Sequence, residues 1–159
     1  MTTVGARLDR LIQEKRHDPY QAKAKLTEPT RCPDCGAVYH KGSWHWMVAP
    51  AGAYEAKCPA CHRIEDKIPA GYLSISGEFF QQHQEEIRGL IKHIEEREKG
   101  QHPLNRIMAM EALNTGLEIT TTDMHLPRDI GVALEKAYEG ELDFQYVDES
   151  NLLRVNWQR

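Results

Sequence analysis

The four cysteines of the chain form two Cys-x-x-Cys pairs, and their spacing suits a metal site. The pairs are Cys32/Cys35 and Cys58/Cys61, with 22 residues between them. A proline follows the first cysteine of each pair, and Gly36 follows the first pair, so both segments can turn sharply and direct two thiolates the same way. We therefore predict one structural Zn²⁺, held by Cys32, Cys35, Cys58 and Cys61.

Other uses of four cysteines fit this pattern less well. A disulfide framework needs an oxidising compartment, but the N-terminal Met1-Thr2-Thr3-Val4 opens no apolar signal segment, which predicts a cytoplasmic protein. A thioredoxin-like redox site needs one Cys-x-x-Cys pair rather than two matched pairs. Iron in a rubredoxin-like site remains the alternative to zinc, because tetrahedral sulfur also suits iron.

The same residues argue against an enzyme. Four thiolates leave no open position on a zinc ion for water, and we can assign no set of nucleophile, base and orienting group. The segment 83–85 has the His-x-Glu spacing of a zinc deaminase but follows the cysteines instead of preceding them. Three histidines flank the cysteines and are alternative ligands, although we expect them to lie beside the site: His40, His45 and His62.

Charge is distributed unevenly along the chain. Residues 1–67 carry 11 Lys and Arg against 8 Asp and Glu, whereas residues 68–159 carry 9 against 16. Basic and aromatic side chains together can hold phosphates and stack on unpaired bases. The candidate nucleic-acid contacts are Arg31, Lys41, Trp44, Trp46, Lys57 and Arg63. The alternatives are that the alternating tryptophans close a small core and that the basic residues before Cys32 form a solvated tail.

The pattern of the chain predicts three parts. We predict a flexible basic arm over residues 1–30, a zinc ribbon over residues 31–68 and an α+β domain over residues 69–159. In the ribbon, Lys41-Gly42 joins two strand-like segments into a hairpin, and a third strand leads into the second cysteine pair. No stretch is long and apolar enough to span a membrane.

In residues 69–159, alternating apolar residues predict strands, and a period of three to four residues predicts helices. The predicted order is β-α-β-β-α-β-β, with helices over about 78–99 and from 126 to Gly140. This order matches a ferredoxin-like split βαβ unit with an added terminal strand. We therefore predict an antiparallel sheet with two helices on one face and the other face open to a partner.

Several segments of this chain resemble a known family. They are Cys-Pro-Asp-Cys-Gly at 32–36, Cys-Pro-Ala-Cys-His-Arg at 58–63, Gly71-Tyr72 before a long helix, and Gly116-Leu117-Glu118-Ile119 followed by Asp123. Over most of residues 31–158 the chain resembles the N-terminal region of the large-ribosomal-subunit export adaptor named for nonsense-mediated decay. It is more closely similar to an uncharacterised bacterial family of short zinc-ribbon proteins.

The resemblance implies a ribosomal partner made of RNA and protein, and it implies no catalysis. This chain has a single set of four cysteines where the adaptor family has more metal-binding pairs, so only ribosome or RNA contact transfers, and not subunit export. We predict a zinc-stabilised, non-catalytic protein that binds RNA or associates with a ribosomal subunit. The alternative is a protein–protein interaction adaptor or regulator that acts through the acidic α+β half or pairs with itself through a sheet edge.

Overall fold

The computed structural model describes residues 26–147, 149 and 151–159, and the basic arm predicted over residues 1–30 lies mostly outside this part of the chain. The first described elements surround the cysteines. Four short strands form a mixed sheet in the order β3-β2-β1-β4: β1 (Thr30–Arg31), β2 (Val38–His40), β3 (Ser43–His45) and β4 (Tyr54–Glu55). Helix α1 (Pro59–Asp66) follows this sheet and begins inside the second cysteine pair.

The predicted hairpin at Lys41-Gly42 is confirmed. His40 of β2 pairs with Ser43 of β3, which leaves Lys41 and Gly42 as a two-residue turn. Both turn residues have positive φ, 52° and 82°, as a type I′ turn requires. Glycine accepts this conformation without strain, and the turn therefore matches the twist of the strands.

A second, five-stranded sheet forms the centre of the rest of the chain. Its order is β6-β7-β5-β9-β8, and the elements are β5 (Gly71–Ser76), α2 (Glu78–Gln82), α3 (Gln84–Gln101), β6 (Ile107–Ala112), β7 (Gly116–Thr121), α4 (His125–Tyr138), β8 (Glu141–Val147) and β9 (Leu152–Gln158). Both sheets are mixed, and the predicted α+β class is confirmed.

Two details of the five-stranded sheet differ from the prediction. The added strand β9 lies inside the sheet, between β5 and β8, and it runs parallel to β5, so the sheet is not purely antiparallel. The long helix predicted over 78–99 is broken at His83 into α2 and α3. β9 follows β8 as an antiparallel hairpin and pairs on its other side with β5.

The helices cover one face of the five-stranded sheet. Leu73 on β5 lies directly opposite Ile119 on β7 and Val155 on β9, and all three side chains are buried. Trp157 is the largest fully buried residue, and its indole N–H donates to the Glu139 carbonyl at 2.7 Å. Burial of these apolar side chains stabilises the packing of the helices against the sheet.

The other face of this sheet is polar. Tyr72 on β5 lies opposite Thr120 and Arg154, and the Arg154 guanidinium carbon is 4.4 Å from the centre of the Tyr72 ring. The next strand positions on this face carry Ser74, Glu118, Asn156, Asp143 and Gln145. The predicted open face is therefore present, and carboxylates outnumber its cationic groups.

Candidate metal centre

The first cysteine pair lies in a tight turn that the backbone closes on both sides. The amide of Cys32 donates to the Ala37 carbonyl at 2.8 Å, and the Gly36 amide donates to the Cys32 carbonyl at 2.9 Å. Gly36 has a φ of +83°, a left-handed conformation that favours glycine. This turn brings the side chains of Cys32 and Cys35 to the same side of the backbone.

The second cysteine pair opens helix α1, an element that the sequence analysis did not assign. Cys58 precedes the helix, and its Sγ accepts a hydrogen bond from the Cys61 amide at 3.4 Å. Pro59 occupies the first helical turn, where its missing N–H costs nothing. The free amides at a helix N-terminus favour negative charge, so they stabilise thiolates at this position.

The two pairs meet as one cluster. All four Sγ atoms lie within 4.8 Å of one another, and the Cys35 and Cys58 sulfurs are 3.8 Å apart. A tetrahedral ion with metal–sulfur bonds of ~2.3 Å requires sulfurs separated by about 3.8 Å. Among the described residues this is the one cluster of its kind, so the four cysteines fit a tetrahedral metal and the predicted ligand set forms a site.

A buried arginine from the five-stranded unit completes this cluster. Arg106 is 6% exposed, and its guanidinium lies 3.1 Å from Cys35 Sγ, 3.3 Å from Cys61 Sγ and 3.7 Å from Cys58 Sγ. Its Nε donates to the Pro103 carbonyl at 2.7 Å. A buried cation needs anionic partners, and the thiolates of a metal site supply them.

The backbone around Arg106 is fixed by Thr122, which follows β7. The Arg106 amide donates to Thr122 Oγ1 at 2.9 Å, and the Thr122 amide donates to the Arg106 carbonyl at 2.9 Å. Thr122 Oγ1 also donates to the Leu104 carbonyl at 2.6 Å. The segment that carries Arg106 is therefore anchored to the large sheet while its side chain reaches the cysteines.

Comparisons with protein-family models, curated proteins and solved structures found no match for this chain. The resemblance to the export adaptor therefore stays a prediction. The site has to be interpreted from its own geometry.

Burial and hydrogen bonding shift the pKa values of the cluster's thiols in opposite directions. Burial raises the pKa of Cys58 and of Cys61 above the ordinary thiol value. Burial also raises the pKa of Cys32, but the amides of Cys58, Cys35 and Asp34 lower it more, to about 7. A cation that binds four sulfurs displaces the remaining protons, so metal binding and thiol ionisation are coupled.

Arg106 responds to the same charges. Burial lowers the pKa of its guanidinium, but hydrogen bonds to the Cys61 and Cys35 sulfurs raise it more, and the net shift is upward. Arg106 therefore stays charged at every accessible pH. Four thiolates around a divalent ion carry a net charge of about minus two, which one buried guanidinium offsets in part.

Trp46 and Leu104 extend the contact between the cysteine cluster and the rest of the chain. The Trp46 indole N–H donates to the Lys99 carbonyl at 2.7 Å near the end of α3, and Arg106 lies 5.5 Å from the Trp46 ring centre. Leu104 packs against the cluster. The cysteine unit is the described part of the chain up to residue 68. The candidate metal site therefore lies where this small cysteine unit meets α3 and the segment before β6.

The three histidines considered as alternative ligands are not part of the cluster. Only the four cysteines belong to it among residues 26–147, 149 and 151–159. His45 Nε2 lies 3.0 Å from the His40 carbonyl and 3.0 Å from Ser43 Oγ, so it braces the β2–β3 hairpin. His62 lies in α1 and is exposed.

The predicted nucleic-acid contacts do not form one exposed basic surface. Arg63 is 4% exposed and donates to the Ile68 carbonyl at 3.1 Å, so its assignment to such a surface is corrected. Lys57 lies between two carboxylates, those of Asp34 at 3.2 Å and Glu65. Both cationic groups therefore have partners within residues 26–68.

The other four predicted contacts keep part of their surface. Lys41 is exposed at the tip of the β2–β3 hairpin, and Arg31 is partly exposed, 3.9 Å from Glu55. Trp44 packs against the cysteine cluster and lies edge-on to Tyr39 with ring centres 5.5 Å apart. Trp46 is 39% exposed. The alternative structural role predicted for the tryptophans therefore applies to Trp44.

Sequence reasoning missed Arg106. It lies 45 residues beyond Cys61, in a segment with no metal-binding pattern. Arg106 follows His102, Pro103, Leu104 and Asn105, and nothing in this mixed polar segment marks a buried cation. Among the described residues no helix has the length and apolar content to cross a membrane.

Proposed function

We propose that this protein is a zinc-stabilised, non-catalytic binding module. The observation that carries this proposal is the closed cluster of four sulfurs with Arg106 against three of them. Four cysteine ligands complete a tetrahedral shell, so no position is left for a substrate or a catalytic water. Zn²⁺ bound there supplies folding free energy and no chemistry.

The metal is tested directly on the purified protein. Elemental analysis of protein expressed with zinc and iron both supplied should give one zinc per chain and a solution without visible absorbance. An iron–thiolate site would absorb visible light and would contradict the zinc assignment. A metal content near zero with the fold intact would contradict the metal site itself.

We propose a protein partner as the first candidate for what the module binds. The described part of the cysteine unit, residues 26–68, carries five Lys and Arg and five Asp and Glu, so it presents no net positive charge to RNA. The open face of the five-stranded sheet carries Glu118 and Asp143, with Arg154 stacked on Tyr72. A face of this chemistry suits a partner that is polar and basic.

RNA or a ribosomal subunit is the second candidate. Residues 1–25 carry six Lys and Arg against three Asp and Glu, which favours phosphate. Exposed Lys41 and half-exposed Trp46 could extend such a contact onto the folded part. Affinity that rests on this basic segment should fall steeply with added salt.

One experiment separates the two candidates. Lysate from cells that express a tagged copy is sedimented through a sucrose gradient at low and moderate salt, with and without nuclease. A protein partner predicts tagged complexes that survive nuclease and that Glu118→Lys with Asp143→Lys weakens. Comigration with a ribosomal peak that salt or nuclease removes would favour RNA. Sedimentation of the free protein alone under every condition would contradict both.

A further inference from the structure

The two edges of the five-stranded sheet differ in chemistry. The outer strand β8 carries exposed Glu141 and Asp143, and charged side chains on an edge strand oppose pairing with another chain. The opposite edge, β6, reads Ile-Met-Ala-Met-Glu-Ala and has Glu111 as its only charge. Its last four residues are exposed, and Met110 is 37% exposed. An apolar edge strand of this kind is a site for strand addition.

The hydrogen bonds of the β6–β7 hairpin show which β6 residues face outward. The Leu113 amide donates to the Gly116 carbonyl at 2.8 Å, and the Gly116 amide donates to the Leu113 carbonyl at 3.5 Å. Hydrogen-bonded and non-hydrogen-bonded residue pairs alternate in an antiparallel ladder. The backbone of Glu111 is therefore hydrogen-bonded to that of Glu118, whereas the backbones of Met110 and Ala112 are not hydrogen-bonded to β7. The N–H and C=O groups of Met110 and Ala112 therefore point away from the sheet.

The first residue of this edge strand already has a hydrogen-bond partner. The Glu95 carboxylate of α3 accepts a hydrogen bond from the Ile107 amide at 2.6 Å. The register shifts between Ile107 and Ala109, which places an irregularity at Met108. The part of the edge that can add a strand is therefore short and centred on Met110.

We propose that β6 pairs antiparallel with β6 of a second copy, about a two-fold axis at Met110. In this register Met110 exchanges both backbone hydrogen bonds with Met110 of the second copy, and the two thioether side chains lie side by side. Glu111 then lies opposite Ala109 of the second copy, so no like charges lie directly opposite each other across the new strand pair. The two five-stranded sheets become one continuous sheet of ten strands.

The alternative registers are less favourable. A two-fold axis at Glu111 would place two carboxylates directly opposite each other, which destabilises a strand pair. An axis at Ala112 would pair Met110 with Asn114, beyond the end of β6. The charge and length of the strand therefore select the Met110 register.

The inference does not rest on the proposed function, because the β6 edge and the open face of the sheet are separate surfaces.

Cross-linking tests the register without a disruptive change. Residues in a hydrogen-bonded antiparallel pair have Cα atoms about 5.5 Å apart, which is within disulfide range. Metal-loaded Met110→Cys should form a covalent dimer under mild oxidation, and Leu113→Cys, which is also exposed, should form much less. Equal cross-linking of the two variants would overturn the register.

Charge substitution tests the pairing itself in the full chain. Sedimentation equilibrium should show the 18.3 kDa chain associating to twice that mass as concentration rises. Met110→Lys and Met110→Glu should each weaken association at least about tenfold, and an equimolar mixture should restore it, because unlike charges then oppose each other. Val48→Lys, at an exposed position on the β3–β4 loop, is the matched control and should change nothing. A monomer at every concentration, or failure of the mixture to restore the dimer, would overturn the proposal.

Discussion

The guanidinium of Arg106 lies 3.1 Å from Cys35 Sγ, although the two residues are 71 positions apart in the chain. This contact joins a small cysteine unit, which has little apolar core, to the segment that precedes β6. Because the cation is buried, it depends on the thiolates, and the thiolates depend on it. The metal site and the docking of the two parts are therefore one coupled interaction.

Substitution of Arg106 should weaken metal binding. Arg106→Gln removes the charge that offsets the thiolates, and loss of such a partner typically lowers metal affinity about 10- to 100-fold. Competition with a chromophoric chelator measures the change. Arg97→Gln is the control, because Arg97 is more than half exposed and pairs with Glu98 on the surface. Unchanged affinity in Arg106→Gln would show that the guanidinium serves packing alone.

Removal of the metal should loosen the cysteine unit without unfolding the five-stranded unit. In the part of the chain that the structure describes, the buried core residues form two separate clusters, and the larger one, which contains Leu73 and Trp157, does not include the cysteines. Cys58→Ser should abolish protection of amides in residues 30–66, as measured by hydrogen exchange. Amides of β5 and β9 should stay protected. Loss of protection in all strands together would show a single cooperative core.

The same variant should also lower the stability of the larger unit. In this variant Arg106 is left buried beside Cys61, whose pKa burial raises, and a buried charge without an ionised partner costs several kcal/mol. We expect the segment from Leu104 to Ile107 to lose amide protection with the cysteine unit. The double variant Cys58→Ser with Arg106→Leu should recover part of the stability, as thermal unfolding can measure.

The sequence predicted the parts of this structure that depend on local pattern. The cysteine pairs, the Lys41-Gly42 turn and the strands of the larger unit follow from spacing, turn chemistry and alternation. The position of β9 did not follow, because alternation at Leu153 and Val155 shows that a strand has a buried face but not which strands it joins. Strand order is set by packing over long sequence separations.

The composition of the site shows the same division. The spacing within each cysteine pair is a local feature, so it predicted the four ligands. Arg106 lies far away in the sequence and reaches the cysteines only through the fold. Arg63 was predicted to contact nucleic acid because it lies among basic and aromatic residues near the cysteines, yet its side chain is buried and donates to the Ile68 carbonyl. A cation that bonds to main-chain carbonyl groups cannot be distinguished from a solvated one by residue type alone.

Two glycine substitutions should change stability in opposite directions. A Cβ on Gly116 would lie 2.0 Å from the Ile75 carbonyl oxygen, so Gly116→Ala must separate β7 from β5 and should destabilise the protein by at least about 2 kcal/mol. Gly89 lies exposed in α3 with open space around it, so Gly89→Ala should stabilise the helix by about 0.5–1 kcal/mol. Urea unfolding measures both values. Similar values for the two variants would contradict the close approach at Gly116.

The start of α4 should make stability depend on pH. The Asp123 carboxylate accepts hydrogen bonds from the amides of His125 and Leu126, at 2.9 Å and 3.2 Å. The same carboxylate lies 3.4 Å from His125 Nδ1, and its hydrogen bond and negative charge raise the pKa of His125 above its ordinary value of 6.5, although burial and Arg128 oppose this shift.

Because the folded state raises this pKa, protonated His125 stabilises the fold below about pH 6.5, and the contribution is lost as pH rises through the folded pKa. His125→Gln should therefore unfold more easily than the parent chain at pH 5.5 and equally at pH 8.5. The difference should stay below about 1 kcal/mol, since the His125 side chain is half exposed. Urea unfolding at the two pH values measures it, with exposed His93→Gln in α3 as the control. A larger loss at pH 8.5 than at pH 5.5 would reverse the sign and show that neutral His125, rather than its ion pair with Asp123, stabilises the helix start.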